Sequence, residues 1–378
     1  MTPTHPNPLY KTHPWISPTN PPVSNAPMLN IATAPLATSV SAAGGIGFIA
    51  AGYDTTGLET QLREATTLLK NLDPSNPARR FHTETGILPL GVGFLNWGAD
   101  LENAMQILSE HRPAAVWLFA PRDMPADLKP WVDAIRGLDD DASAAAGVRA
   151  EFHTPPTQIW VQIGTVHEAT AALSTLFPDV LVAQGHDAGG HGLARSASIV
   201  TLVPEIHDTL LQRDPSAQHI PIVAAGGIAT GRGLLAALAL GASGAVMGTR
   251  FLAATEAQVA AGYRREILRA SDGGASTVRS TVYDRVRGIH GWPARYDGRG
   301  MINRSYVDAV HHGMDDEQNR SLYRAEASKG DEGWGPSGRM TTYAGTGVGL
   351  ITQVLSAKEI LAEVWAETKA VAGRLGSL

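Results

Sequence analysis

Residues Ile220–Gly233 read IPIVAAGGIATGRG, and the order of residue types in this stretch decides the fold class. Pro221–Ala225 is apolar without alternation, which is what a strand buried on both faces requires. Two glycines end the run, and GRGLLAALA, Gly231–Ala239, continues with helical spacing. A buried strand, a tight turn and a helix make one unit of a parallel α/β sheet.

The same unit recurs along the chain. Strands are expected at Pro27–Ile31, Ile46–Ala50, Leu88–Phe94, Ala114–Ala120, Gln158–Gly164, Val180–Gln184, Pro221–Ala225 and Gly244–Gly248. Helices are expected at Leu36–Ala43, Leu58–Leu72, Leu101–Glu110, Ala126–Arg136, His167–Leu176, Val203–Gln212, Gly231–Ala239 and Glu256–Leu268. Eight alternating pairs favour closure into a (β/α)8 TIM barrel, with an open doubly wound sheet as the alternative. Four parts follow: a Pro-rich arm (1–24), the barrel (25–270), an irregular segment read as a lid or subunit contact (271–346), and a C-terminal helix packed on the barrel (347–378).

Composition narrows the function. A formal charge of −6 and the lack of a Lys/Arg cluster argue against a nucleic-acid partner. No run of about 18 apolar residues is present, so no membrane span is expected. The first 28 residues hold eight prolines and no arginine, unlike a secretion or mitochondrial signal. A cytoplasmic location follows by default, and the arm is expected to lie extended on the surface or on a neighbouring subunit of a homo-oligomer. The absence of cysteine removes thiolate metal sites, iron–sulfur clusters and cysteine nucleophiles.

In such barrels chemistry sits on the loops after the strands. VAQGHDAGGHG, Val182–Gly192, places four glycines, two histidines and an aspartate after the sixth strand, too polar for packing and too small for a core. Gly226 and Gly227 follow the seventh strand, and Gly248 and Thr249 the eighth. Two successive glycine loops let backbone N–H groups and helix N-termini approach one phosphate. Neither loop has Rossmann or P-loop spacing.

With these loops placed, the sequence resembles the nitronate monooxygenase (2-nitropropane dioxygenase) family of FMN-dependent barrel enzymes. The motifs are NAPML from Asn25, AAGGIGFIAAG from Ala42, GVGFLNW from Gly91, QGHDAGGHG from Gln184, the quoted strand-seven stretch and GAVMGTRF from Gly244. GWPARYDGRGMIN, from Gly291, resembles a segment found after the barrel in many members. The resemblance implies FMN over the barrel mouth, its phosphate on Gly226, Gly227, Gly248 and Thr249. Ala26, Pro27 and Met28 would line one side of the ring, and Gln184 and Gly190 would touch it from strand six. His191 matches the catalytic histidine. The family's third-strand motif often reads GVN, whereas Gly93 stands here, leaving Asn96 to supply an amide or not; His186 stands where a small residue is more usual.

A histidine's unperturbed imidazole suits proton abstraction at neutral pH, and the glycines before His191 bring its backbone close to a ligand. His186 is expected to shape the pocket or bond Asp187. A metal on His186, Asp187 and His191 is not expected, because the glycines give no helix to space the ligands. The implied reaction is oxidation of an alkyl nitronate, or of a nitroalkane after loss of its α-proton, by O2 to a carbonyl compound and nitrite. The alternatives are an NAD(P)H-dependent FMN reductase of the same barrel, acting on a quinone or enoyl thioester, and a flavin-binding barrel without turnover.

Overall fold

The computed structural model describes residues 7–145, 155–213 and 220–376. Eight parallel strands form the barrel wall: β1 (Val23–Asn25), β2 (Gly47–Gly52), β3 (Leu88–Leu95), β4 (Pro113–Phe119), β5 (Gln158–Ile163), β6 (Val180–Gln184), β8 (Ile222–Ala225) and β9 (Gly244–Met247). They run in the order β1-β9-β8-β6-β5-β4-β3-β2. The ring is joined at its seam by a parallel bridge between Ser24 and Ile46. A second, antiparallel sheet consists of β7 (Gly190–Leu193), β11 (Tyr296–Met301) and β10 (Thr277–Ser280), with β11 in the middle.

Four expectations are corrected. The first strand is Val23–Asn25, not Pro27–Ile31. Asn25 ends it by using its side chain as a staple: Nδ2 donates to the Phe48 carbonyl at 2.8 Å and Oδ1 accepts from the Phe48 N–H at 2.9 Å. The chain then turns at Met28, whose carbonyl accepts from the N–H groups of Ile31 and Ala32. Residues 26–28 therefore lie on the loop at the strand's C-terminal end.

From residue 7 onward the Pro-rich arm is not an extended surface strap, and its residues 1–6 lie outside the described residues. Leu9, His13 and Trp15 are buried, and Trp15 Nε1 donates to the Gly45 carbonyl at 2.9 Å. His13 meets Trp160 edge-on at 5.7 Å, while Trp160 and Trp117 pack around Phe48 in the barrel interior. The arm thus stoppers the floor of the barrel. Leu9, Trp15 and Ile16 do the packing.

Segment 271–346 is regular where irregular structure was expected. Besides β10 and β11 it holds helices at Val282–Arg287, Arg304–His311 and Asp316–Ala327. Short elements spaced by glycines carry no long period that a sequence window can detect. The C-terminal helix begins at Ala357 rather than Gly347, capped by Ser356, whose hydroxyl accepts from the Glu359 N–H while Glu359 reaches back to the Ser356 N–H. It packs against helices Ala34–Ala42 and Gly231–Ala239 on either side of the seam. Among the described residues no helix is long and apolar enough to cross a membrane.

Candidate active site

A cavity of about 440 Å³ opens at the C-terminal ends of the barrel strands. All ten residues singled out from the sequence line it: Ala26, Pro27 and Met28 after β1, Gln184, Gly190 and His191 around β6 and β7, and Gly226, Gly227, Gly248 and Thr249 after β8 and β9. Loops distant in sequence converge there because all parallel strands end on the same face. No Asp or Glu lines the cavity among the described residues, and Arg287 is its one guanidinium.

Gly93 has a steric reason. A Cβ built on it would lie 2.4 Å from Pro27 Cβ and 2.6 Å from Pro27 Cγ, so the proline ring occupies the space an asparagine would need. Asn96 does not replace that amide: it does not line the cavity, and its Oδ1 accepts from the Phe119 N–H at 2.8 Å. Gln162, on β5, does line it. Its Oε1 accepts from Trp117 Nε1 at 3.0 Å, which fixes the amide, while Nε2 is buried without a partner. Such a donor is costly unless a ligand atom accepts from it. Sequence reasoning missed Gln162 because it sits inside an otherwise apolar strand. Gln184, expected to touch the flavin, has its amide nitrogen committed to the His191 carbonyl at 3.0 Å and so anchors β7.

The glycine pair after β8 is required by backbone geometry. Gly226 and Gly227 have φ of +111° and +75°, where a side chain is strained. The helix that follows is not the anion site expected from the sequence. Its first N–H groups are taken by Glu367 of the C-terminal helix, with Oε2 at 2.6 Å from Gly231 N. The available donors lie earlier: the N–H groups of Gly227 and Ile228 have no acceptor among the described residues. A third glycine loop, unforeseen in the sequence, meets them. The Gly345 N–H donates to Thr249 Oγ1 at 3.0 Å, and Gly347 lies against Gly227.

His191 is held from the segment after the barrel. Its Nε2 lies 3.0 and 2.9 Å from the two oxygens of Asp284, and its ring stacks on Trp292 at 3.7 Å, 5° from parallel. β7 brings it there by pairing His191 with Gly298 of β11. The Tyr343 hydroxyl donates to Asp284 Oδ1 at 3.1 Å. Burial, with the Asp284 charge beside it, holds that phenol well above its ordinary pKa, so it remains a donor at neutral pH. Asp284, Trp292 and Tyr343 were not foreseen. The only sequence hint is a tryptophan beside glycine and proline within a polar stretch.

His186 falls outside the cavity lining and makes no bond to Asp187. Its carbonyl accepts from Arg299, and burial together with Arg279 and Arg299 lowers its pKa, so the ring is neutral. Asp187 accepts instead from Thr346 Oγ1 at 2.9 Å. With His191 committed to Asp284, the three residues do not converge on one point.

The profile of the family described as nitronate monooxygenase matches residues 12–74 and 112–367. The nitronate monooxygenase npaC of Metarhizium robertsii is 42% identical over 365 residues, covering 96% of this chain and 94% of the relative. The nitronate monooxygenase of Neurospora crassa is 38% identical over 377 residues, covering 96% and 93%. The chain belongs to the nitronate monooxygenase family. It is accordingly a flavin-dependent oxidoreductase. The unmatched residues between 74 and 112 include β3 and Gly93, the part where the motif departs from the family pattern.

Among solved structures, nitroalkane oxidase from Streptomyces ansochromogenes superposes with a TM-score of 0.67 at 22% identity, covering 94% of this chain and 97% of that one. FabK from Thermotoga maritima gives 0.66 at 22% identity, covering 99% of each chain. Both show the same barrel fold.

Proposed function

We propose that the chain binds FMN and oxidises alkyl nitronates, and nitroalkanes after deprotonation, with O2 to a carbonyl compound and nitrite. The observation that carries this reading is the cavity itself: an orphaned Gln162 amide N–H on one side, unpaired Gly227 and Ile228 N–H groups on the other, and His191 between them in the order of the wall. Gln162 suits a ring carbonyl and the glycine loops suit a phosphate, so the residues present fit a flavin mononucleotide. When bound, FMN supplies the redox chemistry linking the nitronate to O2.

The chain's own residues do the rest. Ala26, Pro27 and Met28 form a wall without charge, and Gly93 leaves Pro27 room against β3. Thr249 would offer its O–H to the phosphate while accepting from Gly345. His191 takes the α-proton of a neutral nitroalkane, and Arg287, at the rim, favours an anionic product. The apolar and aromatic lining keeps bulk water from the carbanion.

The test is the absorption spectrum of the purified protein, the mass of the released cofactor, and anaerobic addition of propyl-2-nitronate followed by oxygen. A yellow protein releasing FMN, bleached by the nitronate and then yielding acetone and nitrite, is expected. Release of FAD, or a colourless protein that takes up no FMN, would overturn the cofactor assignment. Bleaching by NADH or NADPH but not by nitronate would turn the reading to a reductase.

A further inference from the structure

The contact between His191 and Asp284 spans 93 residues of sequence and joins the barrel to the helix Val282–Arg287. Its chemistry is one-sided. An ionised carboxylate only accepts, and both oxygens of Asp284 face the same nitrogen, so Nε2 must carry a proton. A neutral imidazole has one N–H, which leaves Nδ1 as its basic atom, and among the described residues none bonds it. Among the described lining residues there is no carboxylate and no second imidazole, and burial keeps the phenols of Tyr263 and Tyr343 protonated.

The surroundings allow little alternative. Stacking on Trp292 removes rotation out of the ring plane, and Gln184 fixes the backbone at the His191 carbonyl. Flipping the ring within its plane would break the Asp284 pair and leave a carboxylate that is about nine-tenths buried with only the Tyr343 donor. The other charges near the ring are Arg287, which bonds Tyr343, and the Arg279–Asp297 pair on β10 and β11, neutralised at 2.7 Å.

Resting on the function proposed above, we infer that Asp284 is a positioning residue that fixes the Nε2-protonated tautomer of His191, making Nδ1 the atom that removes the substrate's α-proton. In that step the C–H bond breaks, the proton goes to Nδ1, and the electron pair passes onto the nitro oxygens, giving the nitronate. Nothing is oxidised or reduced. The imidazolium that forms is balanced by Asp284 and shielded by Trp292.

The tautomer is read directly from the long-range ¹H–¹⁵N spectrum of flavin-loaded protein labelled in histidine. The His191 signals are those lost in His191→Gln. Protonated Nε2 and bare Nδ1 are expected in the neutral ring; the reverse pattern would overturn the inference. In kinetics, Asp284→Asn should lower kcat/KM for a neutral nitroalkane roughly 10- to 100-fold and move its acid limb to lower pH, because the imidazolium loses its counter-charge. Asp284→Glu should restore part of both, and the nitronate should be affected several-fold less. Equal losses on the two substrates, or an unmoved acid limb, would remove Asp284 from this role. If the Asn variant does not hold flavin, the tautomer of the unaltered protein decides. A reversed tautomer with a His191→Ala variant still defective on nitroalkanes would sink the Asp284 assignment alone; a His191→Ala variant active on nitroalkanes would sink the base assignment itself.

Discussion

Two histidines in aromatic surroundings stand at opposite ends of the barrel, and they are prepared for opposite tasks. At the floor, His13 is fully buried, edge-on to Trp15 and Trp160, with Thr12 Oγ1 at 2.8 Å from Nδ1 and no carboxylate beside it. At the mouth, His191 lies flat on Trp292 with a carboxylate on one nitrogen. Burial without a counter-charge lowers the His13 pKa to about 4, so it stays a neutral packing ring. The aromatic neighbours are common to both; the carboxylate separates the packing histidine from the proposed proton acceptor.

The sharpest way to break this comparison is at the mouth. His191→Ala should cost a neutral nitroalkane roughly 10²–10⁴-fold in kcat/KM, the scale of a positioned general base. The pre-formed nitronate, with no α-proton to lose, should suffer far less. Oxygen uptake with each form, on protein checked for flavin content, decides it, and equal losses would leave His191 as a loop anchor.

At the floor the pattern should invert. Trp15→Ala empties a buried aromatic site and removes the bond to Gly45, and should destabilise by about 3–5 kcal/mol. Denaturant midpoints measure this, and the flavin-loaded fraction should keep its kcat/KM. A loss of turnover at full flavin content would show that the floor and mouth are coupled.

The third effect is a pH dependence. An unfolded His13 takes up a proton near pH 6.5, the folded one only near 4. Its contribution is therefore complete above 6.5 and is lost as the pH falls through 4, a swing of about 3 kcal/mol by linkage. In His13→Phe the fall in stability over that window should be shallower by that amount. An unchanged slope would mean that His13 is not the group responsible.

The smallest expected effect lies at the seam. Glu367 caps the helix that begins at Gly231, and Glu367→Gln should cost about 1 kcal/mol, since a neutral acceptor retains part of the cap. Flavin affinity should be nearly unchanged, because this helix end faces the C-terminal helix. A marked drop in affinity would restore the helix N-terminus as an anion site.

The barrel was legible because strands buried on both faces leave unbroken apolar runs, as in PAAVWLF of β4 and in IVAA of β8. The first strand was misplaced because it is three residues long and ends in an asparagine whose staple to Phe48 has no sequence signature. The glycine loops were legible through composition, and at Gly227 the positive φ of the backbone itself calls for glycine. The residues around His191 were not. Asp284, Trp292 and Tyr343 come from a segment without helical or strand periodicity, and only folding brings them beside it. Gly93 was noticed as a departure, but its cause, Pro27, lies on another loop.

The order of the elements carries a consequence for biosynthesis. Every wall strand precedes residue 248, whereas Asp284, Trp292, Tyr343 and Gly345 all follow it. Folding during translation proceeds from the N-terminus. A nascent chain can therefore assemble its sheet while the histidine is still unpaired and Thr249 still lacks its Gly345 partner. The helix Ala357–Leu375, whose Trp365 donates to the Pro21 carbonyl and whose Glu367 caps the β8 helix, docks across the seam later still. The contacts that hold His191 and Thr249 are thus completed only after elements beyond the wall have docked onto it.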